Sequence, residues 1–276
     1  MMTRSETTPM TLQEVADELG VHYMTAYRYV RLGMLVASKR GRSWEVTRDD
    51  LDAFIAGQSV PSPDRGATPW DERFLNRILA PDDAGAWAVI EAALAAGMTP
   101  PDVYMKVITP ALRRIGDLWS GGELSIAQEH AASQVTTRVV ARLAPRMVGR
   151  GVRRGTVVIG STATEMHNLP ISIVADLFRS RRFTVLDLGG NLPPEEFAAA
   201  VAAADDVVVA AIGITAPNQH AEIARTIAAL REATDVPIMV GGSGISRNDA
   251  LALGADVAAA TGEEALEALE TIAGSR

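Results

Sequence analysis

The sequence predicts a multidomain chain with an all-α winged helix-turn-helix head, a four-helix bundle and a doubly wound α/β domain. Three observations carry this reading. Apolar residues recur three and four apart up to about residue 148, then give way to short β-branched runs separated by helical stretches. A proline-, glycine- and serine-rich stretch, "GQSVPSPDRGATP", isolates the first 56 residues. Within those residues the charges segregate instead of mixing.

In the head, residues 1–56, "TLQEVADELG" reads as an amphipathic helix with Leu12, Val15, Ala16 and Leu19 on one face. Thr11 and Glu14 fit a capping box, and Gly20 permits a sharp turn. "HYMTAYRYVRLGML" follows as a second helix, with Ala26, Val30 and Leu32 facing inward and Gly33 ending it. "SKRGRSWEV" reads as a hairpin wing and "TRDDLDAFI" as a capped helix. Between Gly20 and Trp44 the only charges are Arg28, Arg31, Lys39, Arg40 and Arg42. Such a basic face supplies phosphate contacts. Tyr23, Thr25 and Arg28 lie where a second helix reaches base edges, and Lys39, Arg40 and Arg42 lie in the wing.

Residues 57–69 form the linker and residues 70–150 the bundle. Its four helical stretches break at Pro81, at Gly97 to Pro101 and at "SGGEL". Trp119 ends the third helix, and Glu129 and His130 stand near the start of the fourth. Residues 151–276 alternate strand and helix. The strands "TVVIGST", "FTVLDLG", "DVVVAAIGIT", "PIMVGG" and "DVAAA" are apolar almost throughout, as in a parallel sheet covered on both faces.

Composition limits the possible functions. The 276 residues are 47% hydrophobic, enough for a real core, and the net charge of −8 gives no global pull toward nucleic acid or membrane. With no cysteine there are no disulfides or thiolate metal sites. "MMTRSETTPM" lacks the apolar core of a signal peptide, and no run reaches the ~18 apolar residues of a membrane span. A soluble cytoplasmic protein without a membrane partner is expected.

Ligands on doubly wound sheets sit beyond the carboxyl ends of the strands. The loops there are Thr162 to Leu169, Gly189 to Pro194, Thr215 to Asn218 and Gly241 to Ser246. The first carries Glu165 and His167 in place of phosphate-binding glycines, which disfavours a dinucleotide. A neutral imidazole can ligate a metal through one nitrogen while a carboxylate fixes the other. One histidine cannot build a zinc site, but it can complete a metal already held by a macrocycle. The adjacent glycines of "VGGSGIS" are expected to let a bulky group approach the backbone.

These residues resemble the cobalamin-binding regulators of the CarH type, which join a MerR-like (or excisionase-like) head, a helical bundle and a flavodoxin-like, Rossmann-type cobalamin domain. That family's loop motif is an acid, any residue, His, two residues and Gly. Here it reads Glu165-Met166-His167-Asn168-Leu169-Pro170. The resemblance implies that His167 is the lower axial ligand to cobalt. It also implies that Gly213 and Thr215 line the slot for the nucleotide tail, and that Gly241 and Gly242 match the paired glycines. Trp119, Glu129 and His130 match the bundle motif that covers the upper face of the corrin and contacts the adenosyl group. Three positions depart from the pattern. Pro170 replaces a glycine, and Gly213 a serine. Ser120 stands where light-responsive members carry a cobalt-capturing histidine.

The expected function is that of a non-enzymatic, cobalamin-dependent transcriptional regulator. It binds adenosylcobalamin and a duplex DNA operator as a homo-oligomer, dimer or tetramer; a response to light is what the family resemblance would add, at the position where Ser120 departs from it. Two alternatives stand beside it: a regulator with another tetrapyrrole or none, and a corrinoid carrier for methyl transfer. Asp187, Asp205 and Asp206 read as strand-end and surface acids, His220 as an exposed helix start, and His22 as lying near a helix cap.

Overall fold

The computed structural model describes residues 9–21, 23–31, 35–40, 43–55 and 70–274. Two compact units result, Met1–Pro69 and Trp70–Arg276.

The first unit contains β1 (Met10–Thr11), α1 (Leu12–Leu19), α2 (Tyr23–Arg31), β2 (Ser38–Arg40), β3 (Ser43–Val46) and α3 (Arg48–Ile55). Thr11 and Glu14 close the expected capping box, and Gly20 takes the left-handed conformation that ends α1. Leu12, Val15, Ala16, Ala26, Val30, Val46 and Leu51 are buried together. Strands β2 and β3 form an antiparallel hairpin, and β1 pairs with the other edge of β3. The head is therefore not all-α. Residues 10 and 11 are too short a run to show strand periodicity, and only pairing with β3 makes them a strand. Leu32, Gly33, His22 and Arg42 lie outside the described residues.

The second unit begins with α4 (Trp70–Leu79), α5 (Asp83–Ala95), α6 (Pro100–Val103), a π-helical turn (Tyr104–Ile108), α7 (Thr109–Ser120), α8 (Ile126–Leu143) and a 3-10 turn (Ala144–Met147). The stretch read as one third helix is thus interrupted. Pro110 has no N–H and its ring would meet the carbonyl four residues back. One wider turn, closed by Thr109 N–H donating to the Tyr104 carbonyl, absorbs the misfit. Phe74, Ile78, Ile90, Tyr104, Ile108, Ile115 and Leu143 fill the bundle core.

The chain continues through β4 (Thr156–Gly160), α9 (Asn168–Ser180), β5 (Thr184–Asp187), α10 (Pro194–Ala203), β6 (Val207–Gly213), α11 (His220–Ala233), β7 (Ile238–Gly241), α12 (Arg247–Ala252), β8 (Val257–Ala259) and α13 (Gly262–Gly274). All five strands are parallel, in the order β5-β4-β6-β7-β8. The order reverses beside β4, so the loops after β4 and β6 flank the switch point where such sheets bind ligands. The central β6 is buried along nearly its whole length. β5, at the edge, leaves Thr184 and Leu186 exposed, so its apolar run is not covered on both faces. Bundle and sheet share one buried polar junction. Tyr104 donates its hydroxyl to Asp176 on α9 at 2.6 Å, and Arg179 donates to the same carboxylate at 2.7 Å. Burial and the Asp176 carboxylate push the Tyr104 phenol up, so it stays protonated.

Candidate functional site

The loop from β4 to α9 is built around Glu165. Its side chain is fully buried, which for a carboxylate demands charged or polar partners. One oxygen accepts the His167 backbone N–H at 3.0 Å and the His167 Nδ1–H at 2.5 Å. The other accepts the backbone N–H groups of Thr215 and Ala216 at 2.8 and 2.7 Å. Burial alone would raise the Glu165 pKa. The hydrogen bonds from His167, Ala216 and Thr215 outweigh it and bring the group down to about 2. Glu165 therefore stitches the loop after β4 to the loop after β6.

His167 caps α9 with its side chain half exposed. With Nδ1–H given to Glu165, the neutral ring presents the Nε2 lone pair outward, and Nε2 makes no hydrogen bond among the described residues. The hydrogen bond to Glu165 raises the His167 pKa, against the effect of burial. The charges of Glu165 and Glu129 add to the rise. Glu129 belongs to the bundle, so the bundle end that carries it lies within electrostatic reach of the imidazole.

The second loop is laced to the first. Asn191 N–H donates to the Glu165 carbonyl at 2.7 Å and Gly190 N–H to Asn168 Oδ1 at 2.5 Å. A Cβ at Gly190 would stand 2.5 Å from that same carbonyl, so only glycine fits. Thr162 and Thr164 donate their hydroxyls to buried Gln219, and Ser161 donates to the Gly213 carbonyl at 2.5 Å. Gly213 ends β6 and Thr215 follows it, both half buried. Gly241 ends β7 and Gly242 follows it. A Cβ on Gly242 would lie 2.1 Å from the Ile214 carbonyl, and one on Gly241 2.3 Å from that of Ala259. The room these glycines open is filled by the protein's own backbone.

On the bundle, Trp119 is 49% exposed at the end of α7, and Ser120 donates its hydroxyl to the Asp117 carbonyl at 3.1 Å. Ser125 caps α8 in a capping box with Gln128. Glu129 follows in the first turn, where the helix dipole favours a carboxylate. It accepts the Ser133 hydroxyl at 2.6 Å and stands 3.0 Å from Nδ1 of exposed His130, which also lies 2.8 Å from the Ile126 carbonyl. The turn between α7 and α8 thus gathers Trp119, Ser120, Glu129 and His130 at one end of the bundle.

In the head, Tyr23 and Thr25 are half buried on α2. Arg28 lies on the same helix, but its side chain is outside the described residues. Lys39 and Arg40 are exposed on β2. Lys39 stands over the Trp44 ring at 5.9 Å, and Arg40 is 3.8 Å from Glu45. Sequence reasoning missed Ser133, Asn168, Asn191, Ala216 and Gln219. Asn191 alone gave a signal, as an Asn after two glycines at a strand end; its φ is +55°.

The site's chemistry tests the fit to a corrinoid. An imidazole with one nitrogen tied to a carboxylate and the other free suits an axial ligand. Among the described residues no three His, Asp or Glu side chains converge on a metal position, so the macrocycle would have to supply the other ligands. The residues fit.

Comparison with known proteins points the same way. The family model described as B12 binding domain matches residues 70–144, and a second of that description matches residues 155–270. A helix-turn-helix domain model matches residues 9–59. The HTH-type transcriptional repressor CarH of Myxococcus xanthus is 30% identical over 207 residues, covering 74% of this chain and 68% of the relative. The chain belongs to the cobalamin-binding protein family. Within that family it is as similar to the trimethylamine corrinoid protein of Methanosarcina barkeri, at 29% identity over 196 residues, 69% of this chain and 89% of the relative. The structure of the monomethylamine corrinoid protein of M. barkeri superposes with a TM-score of 0.60 at 22% identity, covering 73% of this chain and 97% of that one. That likeness shows the shared bundle-plus-sheet fold. Among the described residues no helix is long and apolar enough to cross a membrane.

Proposed function

We propose that this cobalamin-binding protein is a DNA-binding transcriptional regulator whose affinity for its operator is set by bound adenosylcobalamin. The observation that carries the reading is the helix-turn-helix match at residues 9–59 ahead of the two B12-binding matches. His167 would hold the cofactor from the sheet side. Glu165 fixes the imidazole's orientation and keeps Nδ1 protonated, so that Nε2 would be free to hold the cobalt. Trp119, Glu129 and His130 would cover the opposite face. Gly213 and Thr215 mark the slot for the tail, and Gly241 and Gly242 keep the β7 loop close to its neighbour. When bound, adenosylcobalamin supplies a light-labile cobalt–carbon bond. Tyr23, Thr25 and Arg28 would read bases, and Lys39, Arg40 and Arg42 would hold phosphates. One small head binds weakly, so joining several in a homo-oligomer raises affinity without new contacts.

A second reading, a carrier of methyl groups, draws on the identity to the trimethylamine corrinoid protein. Duplex binding separates the two. The cofactor-loaded protein, titrated in the dark and after green light, should change its affinity for duplex DNA at least tenfold, with a parallel change in sedimentation mass. A protein that takes up cobalamin yet binds no duplex at low salt would leave the carrier reading.

A further inference from the structure

The chain from Ala131 to Thr164 contains six arginines and no acidic residue, in a protein of net charge −8. Three of the six are paired, Arg138 with Asp83, Arg142 with Glu91 and Arg154 with Glu270, as is Arg179 of α9 with Asp176. Arg146, Arg150, Arg153, Arg181 and Arg182 are exposed, and among the described residues none has a carboxylate within 4.0 Å. The fold brings them together. Gly149 N–H donates to the Arg179 carbonyl at 3.0 Å, and Arg154 N–H to the Arg182 carbonyl at 3.2 Å. The segment carrying Arg150 and Arg153 therefore runs along the turn carrying Arg181 and Arg182. The indole of Trp87, buried in the bundle, holds the guanidiniums of Arg142 and Arg146 over its ring at 4.1 and 5.6 Å. Asp205 and Asp206 precede β6 at this edge, Asp206 beside Gly155, and Glu270 is already tied to Arg154.

Five unpaired arginines outnumber these acids, so the cluster keeps a positive local potential that favours a polyanion. Guanidinium groups match phosphate oxygens in a bidentate fork. The patch lies at the amino ends of the strands, whereas His167 begins α9 at the other end. The 13 residues of that helix separate them by about 20 Å, so the patch is no part of the cofactor site. We propose that this arginine platform is a second DNA-contacting surface, which grips the phosphate backbone of the duplex that the head reads. The proposal rests on the regulator reading.

The test uses the full chain loaded with adenosylcobalamin in the dark and a fluorescein-labelled random duplex of about 40 base pairs. Anisotropy is followed across salt for the unmodified protein, for Arg150→Gln/Arg153→Gln, and for the same pair combined with Arg181→Gln/Arg182→Gln. Each phosphate contact contributes about 0.9 to the slope of log affinity on log salt. The fourfold variant should flatten the slope by about 3 and lose at least tenfold in affinity near 0.1 M salt, and the double variant about half of that slope. Cobalamin uptake should be unchanged in both, which also shows that they fold. If the unmodified protein binds the duplex and the variants keep its slope, the platform assignment is wrong while the regulator reading stands. A changed sedimentation mass with an unchanged slope assigns the patch to contact between copies and likewise overturns it. If the unmodified protein binds no duplex at low salt, both readings fall.

Discussion

On the sheet side of the site Glu165 is fully buried and accepts four hydrogen bonds, two of them from another loop. On the bundle side Trp119 is half exposed and His130 exposed, and among the described residues the Glu129 carboxylate pairs only with Ser133 and His130 of its own helix. One side has its geometry set by folding, before any ligand arrives. The other has no such buried network and presents its side chains on the surface of the α7–α8 turn. Substitutions on the sheet side should therefore cost stability as well as binding, and those on the bundle side binding alone.

The largest effect should come from Glu165→Ala. It strands the N–H groups of Thr215 and Ala216 and frees His167, and each unsatisfied buried donor costs ~1–3 kcal/mol. Urea denaturation of the cofactor-free protein should show a loss of about 3 kcal/mol. A loss as small as that of a surface substitution would break the contrast. Tyr104→Phe comes next. It removes one hydroxyl from the buried junction but leaves Asp176 with Arg179, so the loss should be about 1–2 kcal/mol. Trp119→Ala should shift stability by no more than ~0.5 kcal/mol, because the ring is half exposed. It should nonetheless weaken retention of adenosylcobalamin, measured by gel filtration of the loaded protein. Equal retention would remove Trp119 from the upper face.

The smallest expected change in stability, near zero, is for Ser120→His, since Ser120 makes one hydrogen bond to its own helix. Its effect should appear only after illumination. The variant should keep its corrinoid, with a spectrum of two histidine ligands, where the unmodified protein releases it more readily. If the unmodified protein keeps its corrinoid just as well, and still does so after His130→Ala, the placement of Ser120 at the upper face is wrong.

The contrast between the two sides also bears on what the sequence could tell. The β-branched runs of β4, β6 and β7 were legible because burial on both faces leaves no polar alternation to confuse them. Glu165 and His167 were legible because an acid and a histidine are unusual in a turn that elsewhere carries glycines. The partners of Glu165 were not, since two are backbone N–H groups some 50 residues away, which carry no side-chain identity. Strand β1 was hidden for a related reason: two residues have no period, and only β3 makes them a strand. Gly242 was visible as a glycine, but the sequence could not show that the Ile214 carbonyl occupies the space beside it. The π-helical turn at Tyr104–Ile108 had a signal in Pro110, which helical spacing alone overlooked.

In the proposed function His167 Nε2 is the lower axial ligand. The most direct measurement is electron paramagnetic resonance of the cobalt(II) corrinoid bound to protein labelled with 15N only at histidine. The account predicts that the axial nitrogen splitting changes from the triplet of 14N to the doublet of 15N, and that His167→Ala abolishes this change. A triplet that persists in the labelled, unmodified protein would mean that the corrinoid keeps its own base, and would contradict the account.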